Sequence, residues 1–165
     1  MQKEERKVRS DKKIDVKPTV PIVLKNQLFT LSHLLNEPVK DVAEHLCKDA
    51  AKSKVIIDEI CRWFRRNYIY KNVVAIGDPD RPRLRLIIQG EKSKVTIRFK
   101  RNDYDELCNL AHALDITPTS TAGVLIRMSL RNIDFMTEFV QTYFSHLSEN
   151  RKRKIDLFLK GIHDN

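Results

Sequence analysis

The chain has 165 residues, 41% of them hydrophobic, which suffices for one or two small domains with a core and argues against wholesale disorder. Its formal net charge is +9, and residues 62–101, with 12 Lys/Arg against 3 Asp/Glu, account for the whole excess. Three cysteines without paired spacing indicate reduced thiols, and no apolar run predicts a membrane helix or a secretory signal. We therefore expect a cytoplasmic protein, mainly α with short β-strands.

The N-terminal part divides into an arm and a helical domain. Residues 1–18 mix charge signs without apolar periodicity, which predicts a disordered basic arm. Residues 19–76 predict an N-terminal helical domain with a strand near 20–24. Its apolar spacing indicates helices over 27–35, 39–50 and 54–67.

Two interpretations of this helical domain stay open. Its strand-helix-Pro-helix order makes 19–51 a degenerate repeat of 94–131, with Thr19, Pro21 and Val23 at the outward strand positions. The alternative is a winged helix-turn-helix whose wing is a hairpin of 68–76 and 83–89. That second interpretation places four basic residues on DNA: Arg62, Arg65, Arg66 and Lys71.

Residues 77–132 form the next predicted domain, which starts with a strand over 82–89. There Leu84 and Leu86 alternate with Arg83 and Arg85, and the following Gly90 could turn this strand onto 94–100 as an in-chain hairpin. Basic residues at alternating strand positions favour a binding surface over a merely solvated face.

Residues 94–100 alternate strictly between apolar and polar side chains. Val95, Ile97 and Phe99 face one side, so this side needs a core, whereas the other side carries charge. Because so short a strand is not stable alone, it must pair with a neighbour or with a second chain. The outward side chains are Lys94, Thr96, Arg98 and Lys100.

Two helices follow this strand. The segment 102–114 carries an amphipathic stripe. After Asp115, Thr117 is a suitable N-cap and Pro118 suits the first helical position, so a second helix should run to about residue 131.

This strand-helix-helix order over 94–131 resembles the ribbon-helix-helix DNA-binding domain of the Arc and MetJ type. The resemblance implies two intertwined chains whose strands form an antiparallel ribbon in the DNA major groove, with phosphates bound at the start of the second helix. It makes Lys94, Thr96 and Arg98 the base readers. Phosphate contacts would fall to Lys100, Arg101, Thr117, Thr119 and Ser120. Asp115 stands where the family often has Gly, and Asp tolerates the left-handed conformation better than most residues.

Residues 133–165 predict a C-terminal helical oligomerisation segment. A broad apolar face runs over 135–147, Ser148 can cap a last helix, and 151–154 is a basic run at the start of that helix. Together with the apolar second helix around Leu125, this segment predicts a homodimer, and higher assembly through 133–163 would let dimers occupy repeated sites.

Motifs for catalysis, metal or cofactor binding are absent from the sequence, so we expect neither an enzyme nor a cofactor. The function expected is sequence-specific double-stranded DNA binding by a transcriptional regulator, such as a repressor, or by an organiser of a replication, partition or transfer site. The alternative is a scaffold protein or RNA binder that uses the basic segment 62–101.

Overall fold

A computed structural model describes residues 12–164, which form a mainly helical protein with short antiparallel strand pairs. Two 3₁₀ turns, Cys61–Trp63 and Phe144–His146, follow the third and sixth helices. In chain order the elements are β1 (Ile14–Val16), β2 (Thr19–Pro21), α1 (Ile22–Leu35), α2 (Val39–Lys52), α3 (Lys54–Ile60), β3 (Tyr68–Tyr70), β4 (Val73–Ala75), β5 (Lys92–Lys94), β6 (Ile97–Phe99), α4 (Arg101–Leu114), α5 (Pro118–Arg131), α6 (Ile133–Gln141) and α7 (Glu149–His163).

The strand predicted over 94–100 pairs with the N-terminal segment of the same chain. Ile14 pairs with Phe99 and Pro21 with Lys92, so β1–β6 and β2–β5 share one antiparallel register. We call these paired segments, 14–21 and 92–99, the ribbon. The strand predicted over 82–89 is wrong, because this segment forms no strand, and the in-chain hairpin that the sequence left open between 82–89 and 94–100 is therefore absent.

Pro18 explains why the ribbon is split into two short ladders. The amide of Val95 donates to the Pro18 carbonyl at 3.1 Å, but proline has no N–H to complete the reciprocal bond. Strand pairing is therefore interrupted at the middle of the ribbon while its register continues.

The chain contains two similar units, which we call the first unit (14–60) and the second unit (92–141). Each consists of a strand segment and three helices. The starts of three helix pairs are separated by the same 79 residues: Ile22 and Arg101, Val39 and Pro118, and Lys54 and Ile133. Asn36 and Asp115, also 79 residues apart, both adopt the left-handed conformation that ends α1 and α4.

Buried residues repeat with the same separation. Four leucine pairs are almost completely buried: Leu28 and Leu107, Leu31 and Leu110, Leu35 and Leu114, and Leu46 and Leu125. The repeat idea is therefore supported by the packing, but its alignment differs from the one inferred from the sequence. Asp15, Lys17 and Thr19 take the outward positions, whereas Val23 already belongs to α1.

Helices α2 and α5 lie against each other at the centre of a single core. Cys47 of α2 contacts the Ala122 carbonyl of α5, and burial raises the pKa of the Cys47 thiol to about 12. The ribbon covers this core with its inner face, which includes Val16, Ile97 and Phe99. The second unit's helices are thus covered by the first unit and need no second chain for this purpose.

The end of each unit's first helix is closed by an arginine from another element. Arg66 donates to the His112 carbonyl of α4 at 2.9 Å, and Arg151 of α7 donates to the His33 carbonyl of α1 at 2.7 Å. A cation at a helix C-terminus also suits the helix dipole. Arg151, in the predicted basic run, therefore has a structural partner within the chain.

Two further expectations from the sequence need correction. The winged-helix hairpin of 68–76 with 83–89 is wrong, because β3 pairs with β4 in a local hairpin that turns at Lys71. The apolar face of 135–147, in the segment 133–165 predicted for oligomerisation, is largely buried within the chain through Phe135, Met136 and Phe139.

The predicted disordered arm also differs from the structure at one end. Residues 14–16, which the sequence placed in this arm, form β1. Residues 1–11 lie outside the described residues. Within 12–164, no helix has the length and apolar character needed to cross a membrane.

Candidate nucleic-acid interface

The outer face of the ribbon presents six polar side chains, three from each strand. Their side is set by strand alternation, because the intervening residues, such as Val16, Val95 and Ile97, point into the core. Asp15 faces Arg98 and Thr19 faces Lys94 in the two ladders, and the register that the ladders share places Lys17 opposite Thr96 between them. The prediction that Lys94, Thr96 and Arg98 share an exposed face is confirmed.

Arg98 is held by its cross-strand neighbour. Its Nε donates to Asp15 Oδ1 at 2.9 Å, and the side chains remain 58% and 44% exposed, respectively. Such an exposed ion pair contributes little to folding. Its effect is on geometry, because engaging Nε fixes the guanidinium plane and leaves the two Nη groups available for an acceptor outside the protein.

Neighbouring helices hold both ends of the ribbon. Lys13 binds Glu44 of α2 at 2.9 Å, and Lys25 of α1 donates to Ser93 at 2.8 Å.

The ribbon segments carry a strong positive charge. Across 12–21 and 92–100, Asp15 is the one acidic residue. The seven basic residues are Lys12, Lys13, Lys17, Lys92, Lys94, Arg98 and Lys100.

The start of α5 lies beside one end of the ribbon. Thr117 caps the helix by accepting from the Ser120 amide at 3.1 Å, which confirms the cap predicted from the sequence. A groove next to this helix start is lined by Thr19 of the ribbon, by Arg83 and Arg85, and by Thr117, Thr119 and Ser120. The structure thus joins two sets of residues that are distant in sequence into one surface.

Asp115, immediately before this helix start, binds three arginines. Its carboxylate forms ion pairs with Arg65 at 3.1 Å, Arg66 at 3.2 Å and Arg83 at 2.9 Å, and the Asp115 side chain is 23% exposed. Burial alone would raise the pKa of Asp115, but the hydrogen bond from Arg83 and the three positive charges outweigh it and lower the pKa. Arg65 and Arg66 follow the 3₁₀ turn after α3, and Arg83 lies between β4 and β5. The three arginines therefore hold both of these segments against the turn between α4 and α5.

The other predicted site residues are dispersed. Lys100 and Arg101 are exposed at the start of α4, directly after the ribbon. Arg62 lies over the Trp63 ring at 5.9 Å and is also exposed. Arg85 reaches the groove beside α5, whereas Arg65 makes its contacts inside the protein through Asp115.

Sequence reasoning missed the first strand's share of the outer face. The sequence-based prediction places Asp15 and Lys17 in a disordered arm, although Val16, Pro18 and Val20 alternate with polar residues there. This alternation was the available signal, and prolines at 18 and 21 masked it because proline is rare inside sheets.

Comparisons with known proteins give no relative for this arrangement. No family model matches the chain, and no curated protein and no solved structure does so either. Among residues 12–164, no cluster of three or more His, Cys, Asp or Glu side chains is arranged to hold a metal ion.

Proposed function

We propose that this protein binds double-stranded DNA sequence-specifically by inserting the ribbon into the major groove. The observation that carries this proposal is the outer face of the ribbon, where six polar side chains alternate with buried ones on two paired strands. A two-stranded β-ribbon fits the major groove, where each base pair presents a distinct pattern of donors and acceptors. The proposed class is ribbon-helix-helix, with both strand-helix-helix units supplied by one chain.

Base reading would fall to side chains of both strands. Arg98 and Lys94 can donate to O6 and N7 of guanine, and Thr96 can contact a thymine methyl group or a base edge. Lys17, opposite Thr96 at the centre of the ribbon, adds a donor that the sequence-based prediction lacked.

Phosphate contacts would come from residues next to the ribbon. Thr119 and Ser120 stand in the first turn of α5, where the helix dipole favours anions. Arg85 in the same groove, and Lys100 and Arg101 at the other helix start, would add positive charge along the DNA backbone.

The biological role we propose is that of a transcriptional regulator, such as a repressor, or of an organiser of a replication, partition or transfer site. An intertwined homodimer is no longer required, because the first unit covers α4 and α5. Dimerisation through other surfaces stays a prediction and would allow occupation of repeated sites.

The proposal is tested by selecting duplexes from a random pool and sequencing those retained. The wild-type chain should enrich one motif, and affinity for it should fall steeply with salt concentration. A matched control is the Lys94→Ala/Arg98→Ala chain, which keeps the buried face of the ribbon and should lose the preference at the base pairs that these two residues read. If the wild-type pool shows no enrichment while RNA or an acidic protein binds, the scaffold or RNA-binding alternative replaces this function.

A further inference from the structure

The two strands of the ribbon belong to one chain and carry different residues on their outer faces. The first strand presents Asp15, Lys17 and Thr19, whereas the second presents Lys94, Thr96 and Arg98. We propose that one chain reads one asymmetric duplex site, a sequence that is not its own reverse complement. This inference rests on the proposed function.

The argument starts from the symmetry of the backbone. Lys17 and Thr96 face each other, and they are also equivalent positions of the two units, 79 residues apart. The backbone of the ribbon therefore has an approximate two-fold axis that passes between Lys17 and Thr96. A protein with true two-fold symmetry selects a palindromic site, because both halves of the DNA meet identical side chains.

The side chains break this backbone symmetry at every outward position. Exchange of the strands would place Asp15 where Lys94 stands and Thr19 where Arg98 stands. A carboxylate accepts hydrogen bonds where an ammonium group donates them, so these positions cannot prefer the same base. Each wrong base pair at such a position reduces affinity roughly fivefold to 150-fold. A palindromic site should therefore bind more weakly, because one of the two strands meets wrong base pairs.

The two ends of the ribbon also point to different base pairs. At one end, Arg98 keeps its Nη groups for guanine O6 and N7, while Asp15 can accept from the N4 amino group of a neighbouring cytosine. At the other end, Lys94 can donate to guanine, and Thr19 can contact a thymine methyl group. The first end should therefore select G·C pairs more strictly than the second.

The helix starts beside the ribbon, those of α5 and α2, also carry different residues. The first turn of α5 carries Thr119 and Ser120, but the equivalent positions of α2 are occupied by Lys40 and Asp41. Asp41 opposes phosphate near the start of α2. The DNA backbone should therefore be held more firmly on the α5 side of the site.

The decisive experiment compares duplex selection by the wild type and by a chain made symmetric. In Asp15→Lys/Lys17→Thr/Thr19→Arg, both strands present Lys, Thr and Arg at equivalent positions. The wild type should select an asymmetric motif with one chain bound per duplex, measured by native mass spectrometry. The symmetric chain should select an inverted repeat of the half-motif read by Lys94–Arg98.

The outcomes separate this inference from the proposed function. A palindromic wild-type motif occupied by two chains would overturn the inference and leave sequence-specific binding intact, whereas an unenriched wild-type pool would remove the function itself. An asymmetric motif that persists in the symmetric chain would also overturn the inference, because the asymmetry would then arise elsewhere. Circular dichroism verifies that the variant folds.

A competition assay decides the question if the symmetric chain fails to fold or bind. Two duplexes are made in which either half of the wild-type motif is doubled as an inverted repeat. Each should compete for the wild-type chain at least about tenfold more weakly than the asymmetric motif, since one strand then meets wrong bases. Equal competition by either palindrome would overturn the inference.

Discussion

Replacing Arg98 with alanine should separate DNA recognition from folding. The side chain is 58% exposed and pairs with Asp15, which is 44% exposed, so its removal should cost less than about 1 kcal/mol of folding free energy. Loss of a bidentate contact to guanine, in contrast, should cost roughly 1–3 kcal/mol of binding free energy on the selected site. Random duplex DNA should bind almost as well as before, because most of that affinity comes from phosphate contacts.

Fluorescence anisotropy with the selected duplex and a scrambled duplex of equal length measures both effects, and thermal unfolding measures stability. Arg153→Ala is the matched control, since Arg153 is an exposed arginine on α7, outside the ribbon. A double-mutant cycle with Asp15→Ala shows how far the carboxylate orients the guanidinium. Equal losses on both duplexes would refute base reading by Arg98 and leave it a phosphate contact.

Three further predictions test the surroundings of the ribbon. Ser120→Asp should weaken binding to every duplex, since the new carboxylate repels phosphate at the start of α5, and filter binding at low salt measures this. Asp115→Asn should destabilise the fold at neutral pH. The gap in unfolding free energy from the wild type should begin to close near the ordinary carboxyl pKa of 3.8 and vanish as the pH falls through the lower pKa of Asp115 in the folded protein. Deleting residues 1–17 should lower stability by about 2 kcal/mol or more relative to a chain that lacks only 1–11, because buried Val16 and the β1–β6 pairing are lost.

Each of these predictions has a result that contradicts it. Ser120→Ala is the control for the helix start and should lose less affinity than Ser120→Asp, so equal losses would show that removal of the hydroxyl, and not the new charge, weakens binding. A pH-independent gap between the wild type and Asp115→Asn would mean that the three arginines do not favour the ionised carboxylate. Equal stability of both truncated chains would show that the first strand adds nothing to the fold.

The second unit could be predicted closely from the sequence because its local signals agree with its tertiary contacts. The alternation around Ile97 matches the burial of the strand, and Thr117 with Pro118 gives the start of α5. Asp115 adopts the left-handed conformation, which Asp tolerates better than most residues.

The first strand could not be predicted so well, because its pairing is entirely non-local. Prolines normally argue against a strand, and nothing near Val16 in sequence identifies Ile97 as its partner. The same holds for the candidate site. Sequence placed Arg83 and Arg65 on a basic segment, but only the fold brings both onto Asp115, and only the register places Asp15 beside Arg98.

The ribbon joins residues that leave the ribosome at very different times. Val16 and Ile97 are 81 positions apart, and at about 5–20 residues per second their synthesis is separated by roughly 4–16 s. During this interval the first strand has no partner, and the helices of the first unit lack the cover later provided by α5. Closing so long a loop is entropically costly before its contacts form, so the ribbon should be a late element in folding. A nascent chain stalled near residue 90 would therefore present unpaired strand and apolar surface, the features that chaperones bind.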